Sequence, residues 1–279
     1  MTGTSPRVWI SAKSRGDRAA VRGCIGTMNL GTDRYAREVL AQSDAFAALV
    51  DGADPAVTVP TCPEWTLGEL VGHVGQAVRW AAAVTAKGEF VPPRLVPEAA
   101  VPAEPAQWVR SAGETLVAAV AGIGAERDTW TWSSDLRAGF WLRRMTHELV
   151  VHRADAAAAL GVPFTVEPDL AADAITEFVE LLPDRIRYNP ASPVGQLAGA
   201  GEVLHLSATD GAGEWLLTRT PEGLTMTHEQ PAEPPAVTVH GPAADLALVL
   251  YGRRSAAEAG LTVTGDAELF EFVRETAKF

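Results

Sequence analysis

The chain has 279 residues, 47% of them hydrophobic, with 35 acidic against 23 basic side chains and two cysteines. That length accommodates one large or two modest domains around a substantial core, and the composition excludes wholesale disorder. A net charge of −12 argues against nucleic acid as a partner, no apolar run approaches the roughly 18 residues of a membrane span, and Cys24 and Cys62 are too few for a disulfide framework or a cysteine-rich zinc site.

The expected compartment is therefore reducing and cytoplasmic. Residues 1–28 are expected to be an extension outside the fold, with Met28 as an alternative start. They carry Arg7, Lys13, Arg15, Arg18 and Arg22 against Asp17 alone, and no apolar run follows that would make a secretory signal.

From residue 29 to 162 the pattern is helical. Thr32 or Asp33 can cap a helix running to about Val50, with Tyr35, Val39, Phe46 and Val50 near helical spacing. Pro60-Thr61-Cys62-Pro63-Glu64-Trp65 reads as a turn, and Thr66-Leu67-Gly68-Glu69 as a capping box opening a second helix to about Ala86. Five prolines make 90–105 an extended connection. A third helix is expected over about 106–121 and a fourth over about 136–160, closed by Gly161-Val162-Pro163. Four long helices without an intervening strand predict a four-helix bundle.

After Pro163 the pattern changes to α+β. A helix is expected from Asp169 to about Leu182 and a loop over 188–201. Strands follow at 203–206, 215–218, 224–227 and 236–239, and short helices at 241–251 and 266–276 flank a Leu261-Thr262-Val263 segment. The expectation is a smaller C-terminal domain, residues 163–279, built on an antiparallel sheet.

The chemistry concentrates in His147-Glu148-Leu149-Val150-Val151-His152-Arg153-Ala154-Asp155. Glu148 and His152, four apart, lie about 40° apart on one helix face, which also carries Trp141, Met145, Ala156 and Ala159. A carboxylate in an apolar stripe needs a cation. One reading gives it a metal, with His73 of the second helix as third ligand and a fourth position left open, as in catalytic zinc sites. The other pairs Glu148 with an arginine and leaves His73 hydrogen-bonded in the core. His147 and His152 are five apart and about 140° apart around the helix, so they cannot share a metal as the two histidines of a zinc-protease helix do. His147 is expected at the surface or in packing. His205, His228 and His240 all fall in the C-terminal half.

Three stretches together resemble the mycothiol-dependent maleylpyruvate isomerase family of actinobacteria, one of the DinB-like metal-binding bundles. They are Pro60 to Thr66 with the following His73, His147 to Asp155, and Val239 to Arg253 with Leu261 to Asp266. The resemblance spans residues 29–279, and the 20 arginines beside only three lysines agree with such a source. It implies a second domain of sterol-carrier-like fold, a zinc or other divalent ion on His73, Glu148 and His152, and mycothiol as thiol cofactor. The metal-bound thiol would add to a conjugated cis double bond, the resulting single bond would rotate, and expulsion of the thiolate would give the trans product. It also implies a functional arginine in the second domain, for which Arg253 is the candidate clamp on a carboxylate substrate, with Arg254 behind it; the alternative is that Arg253 caps the preceding helix. Partners would be a small electrophile and the thiol, with isomerisation or thiol transfer as the reaction. A non-catalytic protein binding a metal or an apolar ligand, and a metal-free interaction protein, are the alternatives. Asp155 is expected to pair with Arg153 or solvent rather than orient a ligand, and Cys62 to be structural.

Overall fold

A computed structural model describes residues 29–96 and 102–278. The expected extension and part of the proline-rich connection lie outside the described residues. The chain opens with α1 (Thr32–Val50) and α2 (Leu67–Lys87), continues through a short 3-10 turn at Pro93–Leu95 to α3 (Pro105–Ile123), and reaches α4 (Gly139–Leu160). The capping box forms as expected: Thr66 accepts from the Glu69 N–H while Glu69 accepts from the Thr66 N–H at 2.9 Å. At α1 the expectation fails, because Gly31 occupies the N-cap and offers no side-chain acceptor. Helix α4 ends on Gly161 in the left-handed conformation, φ 66°, which glycine adopts without a Cβ penalty.

Val39 and Phe46 of α1, Leu70, Val74 and Val78 of α2, Val109 and Leu116 of α3, and Trp141, Leu142 and Leu149 of α4 form one apolar core. None of these residues is more than 1% exposed, so each helix sets its whole apolar stripe inward and the bundle is held mainly by this burial.

Helices α5 (Pro168–Glu180) and α6 (Leu182–Tyr188) and a 3-10 turn at Pro193–Leu197 lead into a sheet of β1 (Val203–Ala208), β2 (Glu214–Thr220), β3 (Gly223–Thr227), β4 (Val237–Gly241) and β5 (Thr262–Gly265), with α7 (Ala243–Leu250) and α8 (Ala267–Ala277) interleaved. Strand order is β3-β2-β1-β4-β5. The sheet is mixed rather than antiparallel. Its β1–β2, β2–β3 and β4–β5 pairs are antiparallel, but β4 lies parallel to β1 with Leu206 opposite Val239. Tight turns dictate the hairpins, whereas the segment from 228 to 236, with Pro231, Pro234 and Pro235, carries the chain past β2 to the free edge of β1. Strand periodicity carries no information about the direction in which such a connection delivers the next strand.

A second core gathers Ile175, Phe178, Leu204, Leu206, Trp215, Val237, Val239, Leu246, Val249 and Phe270. The two cores trade residues: Val151 of α4 packs into the second, and Leu181, just after α5, packs into the first. No helix among the described residues is long and apolar enough to cross a membrane.

Candidate metal centre

Helices α2 and α4 bring His73, Glu148 and His152 together, with one ligand atom from each residue within 4.8 Å of the others. The Nε2 atoms of His73 and His152 each stand 3.3 Å from Oε1 of Glu148. Glu148 and His152 share a face because they are one helical turn apart; His73 arrives from the facing helix, partly exposed, with its ring 4.7 Å from that of Trp65. Trp65 is set there by the turn after Val59, in which the Trp65 N–H donates to the Cys62 carbonyl at 2.8 Å and the Val59 N–H to the Trp65 carbonyl at 3.0 Å.

Around these three lies a charged shell. Asp155, fully buried, pairs with Nδ1 of His152 at 2.8 Å. It also accepts from the Thr61 hydroxyl at 2.6 Å and from Nε and Nη2 of Arg253, both at 3.1 Å. This corrects the expectation that Asp155 pairs with Arg153 or solvent. Arg153 donates instead to the Thr165 carbonyl at 2.7 Å and lies over the Phe164 ring. Helical spacing brings Asp155 under His152, and only the return of the second half brings Arg253 to the same carboxylate, which no local pattern reveals.

The Arg253 guanidinium is engaged on every nitrogen, since Nη1 donates to the Tyr251 carbonyl at 2.7 Å. Tyr251 ends α7, so Arg253 caps that helix as the alternative expected and at the same time binds the carboxylate that pairs with His152. Arg254 stands apart, paired with Asp245 at 3.2 Å. On the other side of the site, Arg144 of α4 donates to Oε2 of Glu148 at 3.1 Å, an arginine partner of the kind the metal-free alternative requires. Cys62 is half-buried, and burial, with Asp155 adding to it, pushes its thiol pKa up rather than down.

These contacts set the electrostatics. Burial favours the neutral form of Glu148, but hydrogen bonds from His152 and His73, with the His152 and Arg144 charges, hold its pKa well below the usual carboxylate range. Burial likewise opposes the imidazolium of His152, yet Asp155 and Glu148 outweigh it and raise the pKa to about 9. Asp155 is drawn down to about 2 against burial, by His152 first and then by Arg253.

The remaining histidines lie elsewhere. His147 is fully buried, not at the surface, with Nε2 at 2.7 Å from Asp173 of α5. Tyr35 and Arg143 bind the same carboxylate, at 2.7 Å each. His205 pairs with Glu214 at 2.6 Å on the sheet, and His240 lies 3.1 Å from the Ser207 hydroxyl. Burial acts against the Asp173 carboxylate, but His147 and then Arg143 hold its pKa below the ordinary value. On acidification the unfolded chain therefore takes up this proton first. The contribution of Asp173 to stability is complete above pH ~4 and is lost as pH falls through the lower folded value. Thermal midpoints recorded between pH ~5 and ~3 are expected to fall less steeply in Asp173→Asn than in the parent chain; equal slopes would refute this.

Residues 36–157 match the mycothiol maleylpyruvate isomerase N-terminal domain and residues 169–272 match the C-terminal domain of the same family. No curated protein matches the sequence. Among solved structures, a crystal structure of the mycothiol-dependent maleylpyruvate isomerase superposes with a TM-score of 0.57 at 17% identity, covering 84% of this chain and 93% of that one. A histidine-to-alanine mutant of that isomerase superposes with a TM-score of 0.56 at the same identity and coverage. With one family model on each half of the chain and a shared fold along most of its length, this protein belongs to the mycothiol-dependent maleylpyruvate isomerase family.

Proposed function

We propose that the chain is a metal- and thiol-dependent enzyme that uses mycothiol to isomerise a small cis-unsaturated electrophile, or to transfer the thiol to it. The observation carrying this reading is the convergence of His73, Glu148 and His152 on one point, with ligand atoms within 4.8 Å of each other. Two imidazole nitrogens and one carboxylate oxygen are the donors that zinc accepts, and nickel, iron or manganese accept them as well. A divalent ion bound there would lower the pKa of a coordinated thiol, so that thiolate forms at neutral pH.

The residues around the donors prepare them for that task. Asp155 accepts the Nδ1 proton of His152, which fixes the tautomer with Nε2 turned to Glu148. Arg253 holds Asp155 and adds positive charge beside the site, which favours a carboxylate-bearing substrate. Because its nitrogens already bind Asp155 and Tyr251, a substrate carboxylate would compete with Asp155 for them. Substrate is expected where the two halves meet, beside Arg253 and His152. We further propose residues 29–162 and 163–279 as the two domains, each with its own core.

The test is elemental analysis of untagged protein followed by titration with mycothiol and assay against cis-dicarboxylates. Stoichiometric metal, a thiol-dependent change at the metal, and turnover are expected. A folded chain that takes up no metal even when zinc is supplied would overturn the reading. The 3.1 Å Arg144–Glu148 pair favours a second reading, a non-catalytic protein whose Glu148 is neutralised internally, and that outcome would establish it.

A further inference from the structure

The two oxygens of Glu148 face different partners. Oε1 stands between the two imidazoles, 3.3 Å from each Nε2, while Oε2 accepts from Nη2 of Arg144 at 3.1 Å. Arg144 lies one turn earlier on α4 and is 5% exposed. Its Nη1 is bound in turn by Glu177 of α5, which is 2% exposed, and its guanidinium hydrogen-bonds Tyr251 at the end of α7. The terminal torsion of a glutamate is soft, so the carboxylate plane is ordinarily free to turn. A guanidinium is a rigid planar fork. With one prong tied to Glu177, the other cannot follow Glu148 through such a turn.

We propose that Arg144 is a positioning residue for the metal centre, reserving Oε2 of Glu148 so that this ligand presents Oε1 alone and coordination positions remain for the thiol and the substrate. The proposal rests on the metal reading above. It also implies that the second half of the chain, through Glu177 and Tyr251, fixes a ligand belonging to the bundle. Simple neutralisation of Glu148 is a different role, because a lysine would serve it equally well as a point charge.

Two variants separate these roles. Arg144→Lys keeps the charge and loses the fork. Arg144→Met combined with Glu177→Gln removes both buried charges together, so the net charge around the metal is unchanged and no unpaired ion is left in the interior. Each is loaded with cobalt(II), checked for folding by circular dichroism, and compared with the parent chain by visible absorption and by the number of oxygen donors in X-ray absorption.

The parent chain is expected to show one carboxylate oxygen on cobalt. Both variants are expected to gain a second, with weaker visible bands, a smaller response to mycothiol, and cobalt affinity reduced by the ~10–100-fold typical of lost outer-shell partners. Variants that fold and keep the parent spectrum and affinity would overturn the proposal. Should neither variant fold, the parent spectrum decides alone, since two carboxylate oxygens there overturn it and one supports it. A parent chain that takes up no cobalt refutes the metal reading itself, and that outcome is distinguishable from the others.

Discussion

His152→Ala is expected to strip the metal from the untagged protein, while His147→Ala, five residues earlier on the same helix, keeps it. The first substitution takes one of three donors from the cluster, and its effect should exceed the ~10–100-fold loss of affinity caused by removing a mere outer-shell partner. The second removes a ring that is 0% exposed and bound to Asp173 at 2.7 Å. It leaves a cavity and one hydrogen bond fewer on a buried carboxylate that still has Tyr35 and Arg143. A cost of about 2–4 kcal/mol follows, or about 5–15 °C in thermal midpoint for a chain of this size. Metal content and a melting curve on each variant check both halves. Equal metal loss in the two, or full metal in His152→Ala, would remove His152 from the ligand set.

The next largest effect is expected at Asp155. Its carboxylate is 0% exposed and serves His152, Thr61 and Arg253 together. Asp155→Ala leaves the half-enclosed Arg253 charge with only a carbonyl partner, and breaking a buried pair this way costs about 3–5 kcal/mol. It also frees the His152 ring to turn, which should weaken metal binding about 10–100-fold. Arg253→Ala is expected to cost less, since Asp155 keeps His152 and Thr61. In a double-mutant cycle monitored by denaturant unfolding, Asp155 and Arg253 should show a coupling energy of ~0.5–3 kcal/mol. A coupling indistinguishable from zero would make their 3.1 Å contacts energetically idle, and an Asp155→Ala protein that binds metal like its parent would deny the carboxylate any role at the site.

Helix periodicity made most of the bundle legible, because each helix carries its own apolar stripe, and the capping box of α2 and the glycine stop of α4 are local signals too. Glu148 and His152 were legible for the same reason: a one-turn spacing on an otherwise apolar face is a local property. His73 could be named because the second helix holds a single histidine, yet its distance from Glu148 is a tertiary fact. What stayed hidden were relations set by the return of the chain. The direction of β4 depends on a proline-rich connection that leaves no periodic trace. Asp155 looked like a surface acid because its partner Arg253 lies 98 positions away. No local pattern singles out Arg144, since Glu177 and Tyr251, which give it its fixed orientation, belong to α5 and the end of α7. For His147 the sequence left surface and packing both open, and the choice of packing is made by Asp173 of α5, which meets it only in the folded chain.

Three of the buried ion pairs cross from the bundle to the second half: Arg143 with Asp173, Arg144 with Glu177, and Asp155 with Arg253. Their consequence is one of heredity. A recombination event between relatives with its breakpoint among residues 161–168 would preserve each apolar core apart from the traded residues Val151 and Leu181, and each half would still be able to collapse. The hybrid would nevertheless seat one parent's acids against the other parent's arginines. The acid beneath one histidine and the arginine behind the glutamate would then have partners they were never selected with. In this lineage the two halves are expected to travel through evolution as one unit, with substitutions at positions 144 and 177, or 155 and 253, fixed in matched pairs.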